Sequence, residues 1–218
     1  HKESRFVRND KQALYVQDTL TFRKGIIVYV SGISGAGKTT FFDVISGVIK
    51  HYKTEFKVHV DGISMNDGFE NIKSKRIYIA SDIRINSHKV TIYNVVTSNR
   101  NDGNATNVWN ALKLAECSDF VTEETLYKDD IMLSKGQCNR IKVARYLYDI
   151  FSDNPSIVLL DEIADGVDEE TTIKIANNIY AYFRSNNILC LVTTHLPYLQ
   201  KMKYDMEIKI EEGVISNT

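Results

Sequence analysis

Between residues 14 and 22 the even positions Leu14, Val16, Leu20 and Phe22 are apolar, while Tyr15, Gln17, Thr19, Thr21 and Arg23 are polar. A period of two predicts a strand with one buried face, interrupted at Asp18. Lys24-Gly25 then turns the chain into Ile26-Ile27-Val28-Tyr29-Val30, apolar on both faces, as a central parallel strand covered by helices should be. A glycine-rich loop follows, and Phe41-Phe42-Asp43-Val44-Ile45 beyond it has helical character. Residues 55–60 alternate again and end at Asp61-Gly62, a hairpin turn signal, so a small antiparallel sheet is expected to flank the loop. Residues 76–80 predict another short strand.

The pattern then changes. Strand signals are few from residue 94 to 128, where Val108, Ala111, Leu112 and Ala115 sit at helical spacing ahead of a polar, acid-rich stretch. A helical lobe is expected there. A second helix is predicted from about 136 to 151, with Ile141, Ala144, Leu147, Tyr148 and Phe151 on a core-facing stripe. Ile157-Val158-Leu159-Leu160 is a buried strand ending in Asp161-Glu162. The next helix turns Ile173, Ala176, Ile179, Tyr180 and Phe183 inward, and residues 188–192 form a strand that ends at Thr193-Thr194-His195. Strands alternating with helices imply an α/β fold with a mostly parallel sheet, whose ligands gather at the carboxyl ends of the strands. The glycine-rich loop, Asp161-Glu162 and His195 all fall at such ends. With no internal repeat or linker, residues 1–218 read as a single domain, the helical part spanning about 82–150.

Composition narrows the function classes. At 218 residues and 43% hydrophobic content the chain can bury a sizeable core. Lys plus Arg (27) and Asp plus Glu (28) nearly cancel, which removes the overall basic field that gathers nucleic acid, so no nucleic-acid partner is expected. Cys117, Cys138 and Cys190 lack C-x-x-C spacing and read as reduced thiols. No apolar run approaches the ~18 residues of a membrane span. If a membrane is involved, another chain or segment must supply it.

The loop Gly32-Ile33-Ser34-Gly35-Ala36-Gly37-Lys38-Thr39-Thr40 has the spacing G-x-x-x-x-G-K-T between a buried strand and a helix. Its glycines let backbone N–H groups turn toward a phosphate, and the helix starting near Lys38 aims its positive end at the same anion. Lys38 is then expected to reach the β- and γ-phosphates of a nucleoside triphosphate, and the Thr39 hydroxyl to ligate Mg²⁺. An acidic pair closing a strand is by itself often a solvated loop feature. Beside a phosphate loop, Asp161 suits Mg²⁺, held through its water shell, and Glu162 suits orienting the water that attacks the γ-phosphate.

Together these motifs resemble the ATP-binding cassette (ABC) family over essentially the whole chain. Leu133-Ser134-Lys135-Gly136-Gln137 is similar to the family signature LSGGQ, and Arg140 lies where the family places an arginine. Residues 161–168, from Asp161-Glu162 to Asp168, match the spacing of DEPTSALD, and His195 stands at the switch-histidine position. Residues 90–95 resemble the TIxENI segment of the exporter branch, and residues 111–121 its A-x-x-x-A…dFI helix. The resemblance implies a P-loop NTPase core with an N-terminal antiparallel β-subdomain and an inserted helical subdomain carrying the signature. It implies ATP and Mg²⁺ as ligands, Glu162 and His195 as catalytic residues, and Asp168 in the D-loop. It also implies a second cassette whose nucleotide would meet Ser134, Lys135, Gly136 and Gln137. A transmembrane domain or subunit would complete an exporter, placing this chain on the cytoplasmic side of a membrane.

Three positions depart from the family pattern. Ser81 stands where the Q-loop glutamine is expected and would reach Mg²⁺ only through water. Lys135 replaces a signature glycine, either crowding the neighbouring site or adding positive charge near the phosphates. The base-stacking aromatic has Phe6 as its candidate, with a core phenylalanine as the other reading. The alternatives to a transporter ATPase are a soluble ABC ATPase of DNA repair or translation and a weakly hydrolysing regulatory cassette.

Overall fold

The computed structural model describes residues 4–8, 12–16, 20–46, 58–60, 63–65, 76–79, 91–98, 100, 104–129 and 132–217. Strands β1 (Ser4–Arg8) and β2 (Gln12–Val16) form an antiparallel hairpin, and β3 (Ile27–Ser31) leads through the glycine-rich loop into α1 (Lys38–Ser46). Strands β4 (Val58–Val60) and β5 (Ile63–Met65) pair antiparallel in the register Val60↔Ile63, the small antiparallel sheet expected here, while the turn signal Asp61-Gly62 lies outside the described residues. After β6 (Arg76–Ile79) come α2 (Ile92–Thr97), α3 (Ala105–Leu114) and α4 (Glu123–Leu126), then the long α5 (Lys135–Asp153). The chain returns through β7 (Ile157–Asp161), α6 (Glu169–Ser185), β8 (Leu189–Thr193), α7 (Pro197–Gln200), β9 (Met206–Glu211) and β10 (Val214–Asn217).

Among the described residues the main sheet has eight strands in the order β1-β2-β10-β9-β3-β8-β7-β6. From β9 through β3, β8 and β7 to β6 every pair is parallel, while β10 runs antiparallel to β9 and parallel to β2. This is the P-loop NTPase arrangement, and the N-terminal hairpin joins it through β10 at one edge.

Successive side chains of a strand face opposite ways, and the central strands show it. Ile27 and Tyr29, Val158 and Leu160, and Cys190 and Val192 enter one core with α5 and α6; Val28 and Val30, Leu159, and Leu189 and Leu191 enter the other with Phe41 and Phe42 of α1. Both faces are covered, which is why these strands read as continuous apolar runs rather than alternating ones. The stripes predicted for α5 and α6 are buried in the first of these cores, except that Phe151 and Ile173 are half-buried and Ile175 is fully enclosed. One expectation fails: β2 spans Gln12–Val16, and the described residues Leu20 and Phe22 lie outside any strand. They still pack partly buried against the Phe41–Phe42 core, so their alternation reflects burial without strand pairing.

The three cysteines are free thiols. Burial pushes the Cys117 thiol up to about 12 and that of Cys190 higher still, so both stay protonated and act as small core residues.

Candidate functional site

The glycine-rich loop is shaped by its walls. Gly32 holds φ at +149°, and a Cβ there would stand 2.5 Å from the carbonyl oxygen of Ile210 in β9. Gly37 holds φ at +108°, with Leu14 Cδ2 of β2 at 2.7 Å from the same imagined atom. Only glycine passes between these neighbours. The Ala36 N–H donates to the Ile33 carbonyl at 3.1 Å, and Phe41 N–H to the Gly37 carbonyl at 2.8 Å starts the α1 ladder. Lys38 folds back over the loop and donates from Nζ to the carbonyls of Gly32 (2.7 Å) and Ile33 (3.0 Å). Ser34, Gly35 and Thr39 are exposed along the loop, whereas Ala36, Gly37 and Thr40 are buried beneath it.

Residues at the ends of β7 and β8 converge on this loop. Thr39 Oγ1 donates to Asp161 Oδ2 at 3.3 Å, and Thr193 Oγ1 holds the other carboxylate oxygen of Asp161. Glu162 follows at φ +56°, its N–H donating to the Thr193 carbonyl at 3.2 Å, which extends the β7–β8 ladder by one step. That turn brings Glu162 Oε1 to 3.2 Å from His195 Nδ1. Both side chains are about half exposed (42% and 54%), open to solvent and to whatever ligand the loop holds. On the far edge of the same imidazole, His195 Nε2 lies 3.8 Å from Asp165 Oδ1. Thr193 joins the site without a motif of its own to announce it, and Asp165, which lies inside the 161–168 run, joins it in a role that run does not declare. The Thr193 contact follows from the register Asp161↔Thr193, a strand pairing that no local pattern shows.

The residues of the signature-like segment start α5. Ser134 is its N-cap: Gln137 N–H donates to Ser134 Oγ at 3.2 Å and Ser134 N–H to Gln137 Oε1 at 2.8 Å, a reciprocal capping box. Lys135 and Gly136 form the first turn, with no acid there to offset the lysine. Arg140, one turn on, forks onto Asp119 (2.9 and 3.1 Å), donates to the Glu116 carbonyl and lies 4.7 Å over the Phe120 ring. It fastens α5 to the turn after α3.

Asp168 caps α6, accepting from Thr171 N–H at 2.9 Å, and this bond lowers its carboxyl below the usual range. A lowered carboxyl stabilises the fold above the ordinary aspartate range and loses that contribution as pH falls through its folded value. Asp168→Ala should therefore cost ~0.5–1 kcal/mol at neutral pH, the low end for an exposed cap. In melting curves across pH the gap to the parent should close in acid; a gap unchanged by pH would refute the cap. Two predicted site residues are not placed: Ser81 lies outside the described residues, and Phe6 lies in β1 with its side chain outside them.

Comparison with known proteins agrees with this fold. The sequence model of the ABC transporter family matches residues 16–165. The chain is 34% identical over 190 residues to an uncharacterized ABC transporter ATP-binding protein/permease of Acanthamoeba polyphaga mimivirus, covering 87% of this chain and 35% of that protein. It is 26% identical over 229 residues to a protein of Staphylococcus aureus named for multidrug export, covering 98% of this chain and 36% of the relative. The chain thus spans about a third of the length of both relatives. Among solved structures, a dimeric ATP-binding cassette in a post-hydrolysis state with ADP and Pi superposes with a TM-score of 0.70 at 21% identity, covering 99% of this chain and 95% of the other. At that identity the likeness speaks for the fold.

Proposed function

Because this chain belongs to the ABC transporter family and forms its ATP-binding domain, we propose that it hydrolyses ATP to ADP and phosphate in a nucleotide-bridged dimer that drives export across a membrane. The observation that carries this reading is the convergence of Thr39, Asp161, Glu162 and His195 beside the phosphate loop.

The loop amides and Lys38 bind the phosphates. To do so Lys38 turns Nζ from the carbonyls of Gly32 and Ile33 toward the γ-phosphate, a short swing about its flexible stem. The Thr39 hydroxyl and Asp161 carboxylate are hard oxygen donors 3.3 Å apart, a set that suits Mg²⁺. When bound, Mg²⁺ would offset the phosphate charge as the γ-phosphoryl group leaves. Thr193 keeps the Asp161 carboxylate turned to the loop. Glu162 orients the attacking water and accepts its proton, and His195 borders Glu162 where the γ-phosphate would lie.

Residues 1–218 act as one nucleotide-binding domain, with a helical subdomain over about 82–150. Ser134, Lys135, Gly136 and Gln137 face the nucleotide of a second cassette. Transmembrane segments come from the rest of a longer protein or from a partner, since the viral and staphylococcal relatives are named as ATP-binding protein/permease chains, of which the match covers 35% and 36%. The domain then sits on the cytoplasmic side. At dilutions where light scattering finds mostly monomer, the purified chain with Mg-ATP should release phosphate at a rate that rises with the square of chain concentration. A linear dependence at those dilutions would remove the dimer, and an absence of release at any concentration would remove hydrolysis.

Lys135 offers a separate check on the trans arrangement. Lys135→Gly should change turnover several-fold while leaving ATP affinity unaltered at concentrations where only monomer exists. A shift in monomer affinity would place Lys135 at its own chain's nucleotide.

A further inference from the structure

The first turns of α5 grip the loop between β7 and α6 at one point. Asn139 donates from Nδ2 to the main-chain carbonyl of Asp165 at 2.8 Å. The next residue, Gly166, holds φ at +74°, and a Cβ there would lie 2.7 Å from the same Nδ2 and 3.7 Å from Lys135 Cε. Lys135 and Asn139 are four apart and share one helix face. The contact continues beyond the loop, since the Asp165 carboxylate faces His195 Nε2 at 3.8 Å while Nδ1 of the same ring meets Glu162 at 3.2 Å. One residue is thus tied through its backbone to the signature-like helix and borders the imidazole with its side chain.

We propose that Asn139 is a positioning residue that sets the orientation of the His195 imidazole through Asp165. Its value for turnover rests on the reading of His195 as part of the hydrolytic site. Without the Asn139 bond, the Asp165 peptide turns about the permissive backbone of Gly166 and carries the carboxylate away from Nε2. His195 is then bordered on the Glu162 side alone. A neutral hydrogen bond of this kind corresponds to roughly a 2–12-fold effect.

Two variants break the link from opposite sides. Asn139→Ala removes the donor; Gly166→Ala keeps it and displaces its amide with a methyl group. In nucleotide-free protein, the His195 ring signals in a ¹H–¹⁵N spectrum, identified among the 5 histidines by their loss in His195→Ala, should shift in both variants. The kcat of each should fall roughly 2–12-fold with KM for ATP unchanged, and Asn139→Ala should add no further loss on top of His195→Ala. Ring signals that stay in place in both folded variants overturn the positioning role, as does a loss from Asn139→Ala that multiplies with that from His195→Ala. If the ring signals move but His195→Ala hydrolyses ATP at the parental rate, the positioning stands and the hydrolytic role of His195 falls.

Discussion

Glu162→Gln should lower ATP hydrolysis by a factor of roughly 10²–10⁴, the usual contribution of a general base. Glutamine keeps the shape of the side chain and one oxygen facing His195, but not the charge that polarises water and accepts its proton. The backbone at Glu162 is held by its N–H to the Thr193 carbonyl, and Gln tolerates the same positive φ no worse than Glu. The loop amides, Lys38 and Thr39 are untouched, so ATP should bind as before. Unhydrolysed ATP would then remain between two cassettes, and the dimer should accumulate. Size-exclusion chromatography with light scattering reads this directly, with a dimer in Mg-ATP and a monomer in ADP. Hydrolysis at the parental rate would remove Glu162 from its role. An inactive variant that stays monomeric in saturating ATP would instead implicate Ser81 and Lys135, two of the three positions that depart from the family pattern.

The second large effect is expected at Lys38. Lys38→Ala removes a charge-assisted contact to the phosphates, which corresponds to ~1.5–3 kcal/mol, or roughly 10- to 150-fold weaker ATP binding. It also removes the bonds from Nζ to the Gly32 and Ile33 carbonyls, which close the loop in the absence of phosphate. Lys38→Met keeps the stem and loses the charge, so matching losses in the two variants would assign the effect to the ammonium group. Titration calorimetry giving equal affinity for parent and variant would sink the phosphate-binding role.

Both predictions concern residues that stand in contiguous motifs, which is why the amino-acid sequence alone makes them legible. A phosphate loop needs its glycines, lysine and threonine at fixed offsets because one turn of backbone must wrap one anion, and an acidic pair at a strand end declares itself locally. The buried strands are legible for the same reason: Val28, Leu159 and Leu191 sit in runs that only a sheet covered on both faces explains. Contact at a distance is not legible in this way. Asn139 and Asp165 are 26 residues apart, and nothing in either neighbourhood announces a bond between a side-chain amide and a main-chain carbonyl. Strands β9 and β10 stand outside the expected elements although Met206, Ile208 and Ile210 alternate with Glu207, Lys209 and Glu211. Leu20 and Phe22 err the other way, carrying a strand-like period where the chain only packs against the core.

The sheet order has a consequence for how the protein is made. In the sheet β3 pairs with β8 and β9, which leave the ribosome long after it, and Gly32 takes its shape against Ile210. At roughly 5–20 residues per second, the loop waits on the order of 9–36 s of synthesis for that wall to emerge. Until then a nascent chain carries the motif without the fold that makes it a binding site, and its central strand has an unpaired apolar edge on the β9 side. Nucleotide capture therefore comes late in translation, and a ribosome-bound chain arrested before β9 should be blind to ATP however long it is left to mature.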